Sequence, residues 1–319
     1  MSNAPQLIGS SGDSLREAFG KALVGLADEF PNLVVLDADV AGGTGAHNFR
    51  TAHGHRFYQF GIAEQNMVAA AGGMAATGLI PVVTTFAVFA LRALEQARLS
   101  VAYANRNVKI VASHPGLDVG PDGASAQCLE DLAAFRAIPN MTVISPADQI
   151  ETELATRAMI EHVGPVYMRT GRSPTPRIFG SEHTFKIGKG QIVRDGTDVT
   201  IVACGVQVAR SLDAATLLNG EGISARVVNM ATIKPLDHDL LQRCAIETGC
   251  MVTAEDHNMF GGLGGAVAES LVQRSPCPVE FIAVNDRFGQ SGEPDELVQH
   301  YNLGITHIAD AARRAIKRK

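Results

Sequence analysis

The 319-residue sequence contains no tryptophan, and only 5% of it is aromatic. Its core must therefore be built from aliphatic and small side chains, so the places where phenylalanines cluster stand out. The five cysteines, Cys128, Cys204, Cys244, Cys250 and Cys277, are odd in number, scattered, and form no C-x-x-C pair. That excludes a disulfide framework and a cysteine zinc site, and makes a reducing cytosol the natural home, with the cysteines read as small buried residues. Positive charge is not in excess: 27 Lys and Arg stand against 33 Asp and Glu, a net charge of −6. The balance argues against a nucleic-acid or anionic-membrane partner while leaving room for a local cationic pocket. Met1 to Gly12 lacks a basic stretch followed by an apolar one, so no signal peptide is expected. With 46% hydrophobic and 19% charged residues, the chain reads as globular rather than disordered or fibrous, and its length predicts about two domains.

Met67 to Leu91 carries no charge and is long enough to raise the question of a membrane span. Its Gly- and Ala-rich content, Pro81 and the break at Gly78-Leu79-Ile80-Pro81 instead predict a small-residue helix, a turn and a strand from Ile80, all buried in protein. Elsewhere, Asp13 and Ser14 offer caps to a helix with Leu15, Phe19, Leu23, Leu26 and Phe30 on one face, ended by Pro31-Asn32. Continuous apolar runs at Leu33–Leu36, Val108–Ala112, Thr142–Ile144 and Val166–Met168 predict strands buried on both faces, with a helix over Ala147–Ile160. Between Thr170 and Gly190 the chain is rich in Gly, Pro, Ser and basic residues without periodicity, a linker candidate. Strands then resume at Val199–Cys204, Ala225–Asn229, Met251–Ala254 and Val279–Ala283, and a helix closes the chain near Ala309–Lys317. The expectation is an α/β protein of two domains, about 1–180 and about 190–319, each with a mostly parallel sheet covered by helices.

Several motifs lead nowhere. Gly262-Leu263-Gly264-Gly265 follows a strand and opens a helix, but the third glycine of a dinucleotide fingerprint would fall at Val267 and no acidic residue is suitably placed about 20 residues on. It reads as a tight turn. His53 and His55 lie in a polar loop without partner ligands. Ser113, His114 and Asp118 invite a nucleophile reading, yet no G-x-S-x-G elbow exists.

The informative stretch is Phe60-Gly61-Ile62-Ala63-Glu64-Gln65-Asn66-Met67. A lone glutamate opens a helix of small apolar residues. It either complements the helix dipole, which is common, or is a buried carboxyl that needs a specific partner. This segment resembles the cofactor-activating glutamate motif of transketolases. Thr84-Thr85-Phe86-Ala87-Val88-Phe89 is similar to their aromatic pocket, and Ser113-His114-Pro115 through Gly120-Pro121-Asp122-Gly123 to their substrate loop. The resemblance spans the chain but matches only the C-terminal half of a transketolase, a thiamine-diphosphate pyrimidine-binding domain plus a transketolase C-terminal domain. The Gly-Asp-Gly…Asn motif that binds magnesium and diphosphate has no counterpart.

The resemblance implies that Glu64 hydrogen-bonds the aminopyrimidine of thiamine diphosphate and favours its imino tautomer, so that the cofactor can supply a thiazolium carbanion. It implies that Phe86 and Phe89 stack on and flank that ring, for which plain core packing is the alternative. Arg16, His114 and Arg169 align with the residues that bind the sugar phosphate, with Arg172 as an alternative member. Asp122 aligns with the carboxylate that reads a donor hydroxyl. Two positions depart from the pattern: Ala126 replaces a histidine that holds substrate hydroxyls, and Gly43 stands where a phosphate-contacting serine is usual, with Thr44 as an alternative for that role. They leave the sugar pair open, and a branched, deoxy or otherwise modified sugar phosphate is an alternative.

The expected protein is the C-terminal subunit of a two-chain transketolase that moves a two-carbon ketol unit from a ketose phosphate to an aldose. It would work with an N-terminal subunit carrying the Mg2+ and diphosphate ligands, in a heterotetramer with two copies of each chain. A pyruvate-using relative is the enzymatic alternative: a deoxyxylulose-phosphate synthase fragment or the β subunit of a 2-oxoacid dehydrogenase decarboxylase. A non-catalytic paralogue is the alternative from another class.

Overall fold

The computed structural model describes residues 12–319; the segment read for a signal peptide lies, apart from Gly12, outside the described residues. The helix Leu15–Leu26 buries Leu15, Phe19, Leu23 and Leu26 along one face, and Ser14 is its N-cap residue. The Ser14 hydroxyl makes no capping bond, and Asp13 pairs with Lys21 instead. The helix stops short of Phe30 because the Arg56 guanidinium takes up the carbonyls of Ala27 and Phe30 at 2.9 and 3.2 Å, groups a helix end leaves unpaired.

The first sheet has seven strands in the order β10-β5-β6-β4-β3-β1-β2. These are β1 (Leu33–Asp37), β2 (Phe57–Gln59), β3 (Ile80–Phe86), β4 (Lys109–Ser113), β5 (Thr142–Ile144), β6 (Val166–Thr170) and β10 (Thr232–Lys234). All pair in parallel except β10. The uncharged stretch resolves into the helix Glu64–Ala76 and the buried β3. Among the described residues no helix is long and apolar enough to cross a membrane.

No helix or strand lies between Thr170 and Gln191. The second sheet follows, ordered β12-β11-β8-β9-β7, from β7 (Gln191–Arg194), β8 (Val199–Ala203), β9 (Ala225–Asn229), β11 (Met251–Asn258) and β12 (Val279–Val284). Its edge strand β7 is antiparallel and the rest are parallel.

The units are not independent. β10, which sequence reasoning misses because three residues carry no periodicity, leaves the second half of the chain and pairs antiparallel with β5. One apolar cluster runs from Leu36, Val83 and Ile110 to Val228, Met230 and Met251. Buried polar contacts also cross, Asn229 Nδ2 donating to Glu151 Oε1 at 2.6 Å.

Candidate active site

The sites sit where parallel strands end and their loops emerge, the usual ligand edge of such a sheet. Glu64 is the first residue of its helix and only 4% exposed. The hydrogen-bond partner of its carboxylate among the described residues is the half-exposed Arg92, whose Nη1 lies 3.3 Å from Oε1. Arg92 also lies over the Phe89 ring, 4.8 Å from its centroid. Phe89 is parallel to Phe86, with ring centroids 5.4 Å apart and planes 10° apart. Phe86 stacks on His114 at 3.8 Å. Glu64, Arg92, Phe89, Phe86 and His114 thus form one continuous run. Sequence reasoning missed Arg92; its signal was a cation three residues after Phe89 in a segment otherwise free of charge.

A second group adjoins the first. Arg16 Nη1 donates to the Gly43 carbonyl at 3.1 Å, while its buried Nε has no partner among the described residues. Ser113 Oγ donates to the same carbonyl at 3.0 Å and lies 2.9 Å from His114 Nδ1. Burial first, then the charges of Arg16 and Arg172, push His114 down to about 3, so the imidazole is neutral at physiological pH. Gly43 is explained by its neighbours: a Cβ there would lie 2.5 Å from Phe86 Cε1 and 3.4 Å from His114 Cε1. The aromatic stack occupies the space a serine side chain needs.

Arg169, expected at the sugar phosphate, is engaged with other protein groups. It is 5% exposed, and its Nε and Nη2 each donate to the Asp131 carboxylate at 2.9 Å. Asp131 also accepts from the Tyr167 hydroxyl at 2.6 Å, and Arg169 Nη2 donates to the Asp256 carbonyl at 3.1 Å. This guanidinium is an interdomain strut, with Nε and Nη2 committed to Asp131 and to the Asp256 carbonyl. Arg172, beyond the end of β6, is the one that shares the neighbourhood of Arg16 and His114; its Nη1 donates to the Val119 carbonyl at 2.8 Å. Asp122 is exposed at the end of a short stretch, Leu117–Asp122, whose two 3-10 turns meet at a kink at Gly120 (φ +72°, ψ −120°) and which is closed by Gly123 at φ +76°.

The remaining motifs acquire structural roles. The Glu255 carboxylate accepts from the backbone N–H of Leu263 and Gly264 at 2.7 and 2.8 Å, so the helix N-terminus at Gly262-Leu263-Gly264 already holds an anion. His53 Nδ1 lies 3.2 Å from Arg56 Nη2. Asp118 accepts from the backbone N–H of Arg172 and Ser173 and faces no nucleophile. Among the described residues no group of three or more His, Cys, Asp or Glu side chains is arranged to hold a metal ion.

Two mostly parallel α/β units, the first presenting a buried glutamate beside an aromatic stack and a cationic group, define the class of the fold. Residues 12–177 match the family model "Transketolase, pyrimidine binding domain", and residues 188–308 match "Transketolase, C-terminal domain". A Methanocaldococcus jannaschii protein that bears the name of a transketolase C-terminal section is 45% identical over 96% of this chain and 97% of its own length. A 6-deoxy-6-sulfo-D-fructose transketolase subunit from Clostridium sp. is 40% identical over 96% of this chain and 95% of its own. Against human transketolase the identity is 37%, over 94% of this chain but 49% of the human protein. Among solved structures, a split gene transketolase described as an inactive beta4 tetramer superposes with a TM-score of 0.91 at 47% identity, covering 97% of this chain and all of that one. The chain belongs to the transketolase family, of which it carries the C-terminal section.

Membership implies dependence on thiamine diphosphate. The residues present fit the pyrimidine end of that cofactor: a buried carboxylate whose partner can swing into solvent, next to a parallel pair of phenyl rings.

Proposed function

We propose that this chain is the C-terminal subunit of a two-chain transketolase that transfers a two-carbon ketol unit from a ketose phosphate to an aldose. The chain divides for this purpose into a pyrimidine-binding domain, about 1–180, and a C-terminal domain, about 190–319. The observation that carries the reading is Glu64, buried at a helix start with a single half-exposed partner and flanked by the Phe86–Phe89 stack.

Thiamine diphosphate supplies the nucleophilic carbon when bound. Glu64 holds a proton with the aminopyrimidine ring nitrogen, a hydrogen bond strengthened by the low polarity around it. Phe86 and Phe89 fix the plane of that ring and keep water from it. Arg16, whose Nε lacks a partner among the described residues, and Arg172 supply two positive charges for a doubly charged phosphate, with neutral His114 as a hydrogen-bonding neighbour. Arg172 takes the place first given to Arg169. Asp122 accepts a hydrogen bond from a donor hydroxyl. With Gly43 in place of a serine, the anion site loses a hydroxyl donor. Together with Ala126, this favours a modified sugar as one of the substrates. Relatives are named for such sugars, the Clostridium subunit for 6-deoxy-6-sulfo-D-fructose.

The ligands for Mg2+ and the diphosphate come from an N-terminal partner subunit, in a heterotetramer with two copies of each chain in the cytoplasm. This chain spans 49% of human transketolase, which supports that division of labour. The test is an assay of this chain mixed with its N-terminal subunit, Mg2+ and thiamine diphosphate against a panel of ketose phosphates and aldoses. Ketol transfer without CO2 release is expected. CO2 released from pyruvate would replace this reading with a decarboxylating relative, and no turnover of any donor would reject catalysis.

A further inference from the structure

β11 carries Glu255, Asp256 and His257 just before its last residue, all three titratable and all three buried. Glu255 caps the helix that follows. Asp256 does something different. From the second unit its carboxylate crosses to the first, where Oδ1 accepts the Leu117 backbone N–H at 3.0 Å and Oδ2 that of Asp118 at 3.3 Å. The chain makes room for it: Gly116 has φ +72°, and a Cβ there would overlap the Asp256 carboxylate. Burial raises the Asp256 pKa, against the Leu117 N–H and the Arg169 and Arg210 charges, which favour the ionised form.

The two amides it holds open the segment that ends in Asp122. Such leading N–H groups have no partner within their own segment. Asp118 in turn accepts the backbone N–H of Arg172 at 3.0 Å and of Ser173 at 2.9 Å, while Arg172 reaches back to the Val119 carbonyl. The second unit also braces the far side of the loop. Gln127 Nε2 bridges the Gly120 and Gln290 carbonyls, and Pro294 lies against Gly120.

We propose that Asp256 is a positioning residue for the substrate site: its carboxylate sets the placement of the Leu117–Asp122 loop, so that Asp122 and Arg172 meet one donor sugar together. The second unit thereby acquires a task in the reaction although it places no side chain on the reacting atoms. The proposal rests on the transferase reading above. Bonds to two successive amides fix both height and rotation where the loop opens, and small misplacements of reading groups are expensive in rate.

Asp256→Asn keeps the shape but turns an NH2 toward one of the two amides, which then has no acceptor. Hydrogen–deuterium exchange on the full chain reads this directly. The Leu117 and Asp118 amides should exchange about tenfold faster in the variant, with those of β3 unchanged. Unchanged protection at 117 and 118 overturns the proposal.

In the assembled enzyme, xylulose 5-phosphate is compared with hydroxypyruvate, which offers the same two-carbon unit but neither a further hydroxyl nor a phosphate. The variant should raise KM for xylulose 5-phosphate by about tenfold or more and leave the hydroxypyruvate constants at the wild-type level. An equal loss with both donors would reduce Asp256 to a stability role and overturn the proposal. If wild-type enzyme turned over neither, the phosphorylated donor found by the panel takes the place of xylulose 5-phosphate; if it turned over no donor at all, the transferase reading would fail, and the exchange experiment would still decide whether Asp256 holds the loop.

Discussion

Replacing Arg169 by methionine separates the two roles this residue could have. In the structure its guanidinium faces Asp131 through two bonds of 2.9 Å, with Asp131 fully buried and Arg169 5% exposed. Unit charges about 4 Å apart at an effective dielectric of about 20 attract by about 4 kcal/mol. Arg169→Met leaves the Asp131 carboxylate buried with only the Tyr167 hydroxyl, so the expected loss is about 3–5 kcal/mol. That is a large part of the 5–15 kcal/mol by which proteins are typically stable. Arg172→Met removes a half-buried side chain with one bond to a carbonyl, and should cost about 1 kcal/mol. The assay is urea unfolding followed by far-ultraviolet circular dichroism, paired with KM for a phosphorylated donor in the assembled enzyme. The double variant Asp131→Leu/Arg169→Met should recover part of the lost stability, since replacing both partners removes the uncompensated charge but leaves the buried Tyr167 hydroxyl without its acceptor. If Arg169→Met unfolded within about 1 kcal/mol of wild type while raising KM for phosphorylated donors alone, the strut assignment would be wrong and Arg169 would return to the anion site.

Other outcomes follow from the same geometry. Glu64→Gln should lower turnover of the assembled enzyme by about 10²–10⁴-fold, with stability within about 1 kcal/mol because its partner Arg92 is half exposed; wild-type turnover would remove Glu64 from the mechanism. Gly43→Ser, which restores the family pattern, should push Phe86 off His114 and cost about 1–3 kcal/mol by overpacking, readable as a lower unfolding midpoint and weaker cofactor binding. Lys109 is buried, donates to the carbonyls of His162 and Gly164, and is pushed down to about 7 by burial. Its folded value lies below the unfolded one, so the unfolded chain binds more protons between about pH 7 and 10.5 and this residue's contribution to stability rises with pH across that window. Lys109→Met should therefore gain on wild type most below pH 7 and lose that advantage by pH 10; a difference that is flat with pH would contradict the assignment.

Much of the architecture was legible because buried parallel strands are continuous apolar runs: Thr142–Ile144 and Ala225–Asn229 have the expected limits, and β1, β4, β8 and β12 differ by a residue or so. What stayed hidden depends on contacts distant in sequence. β10 is strand only because β5 lies beside it, and Asp256 matters only because Leu117 and Asp118 meet it from across the interdomain boundary. The role of Arg169 came from the resemblance; the apolar run ends at Met168, whereas β6 continues to Thr170 and carries Arg169 into the buried sheet. Arg172 is the first arginine free of it. Glu64 stood out as a lone charge at the head of an apolar helix and Phe86 and Phe89 came from the resemblance, while the Arg92 contact that completes the run required side-chain positions.

The central claim, that this chain holds only the pyrimidine end of a composite cofactor site, is tested most directly by calorimetric titration with thiamine diphosphate and Mg2+, first of the chain alone and then of its mixture with the N-terminal subunit. Binding in the mixture only, abolished by Glu64→Ala or Phe86→Ala, is the predicted result. Tight binding by the isolated chain, or none in either sample, would contradict it.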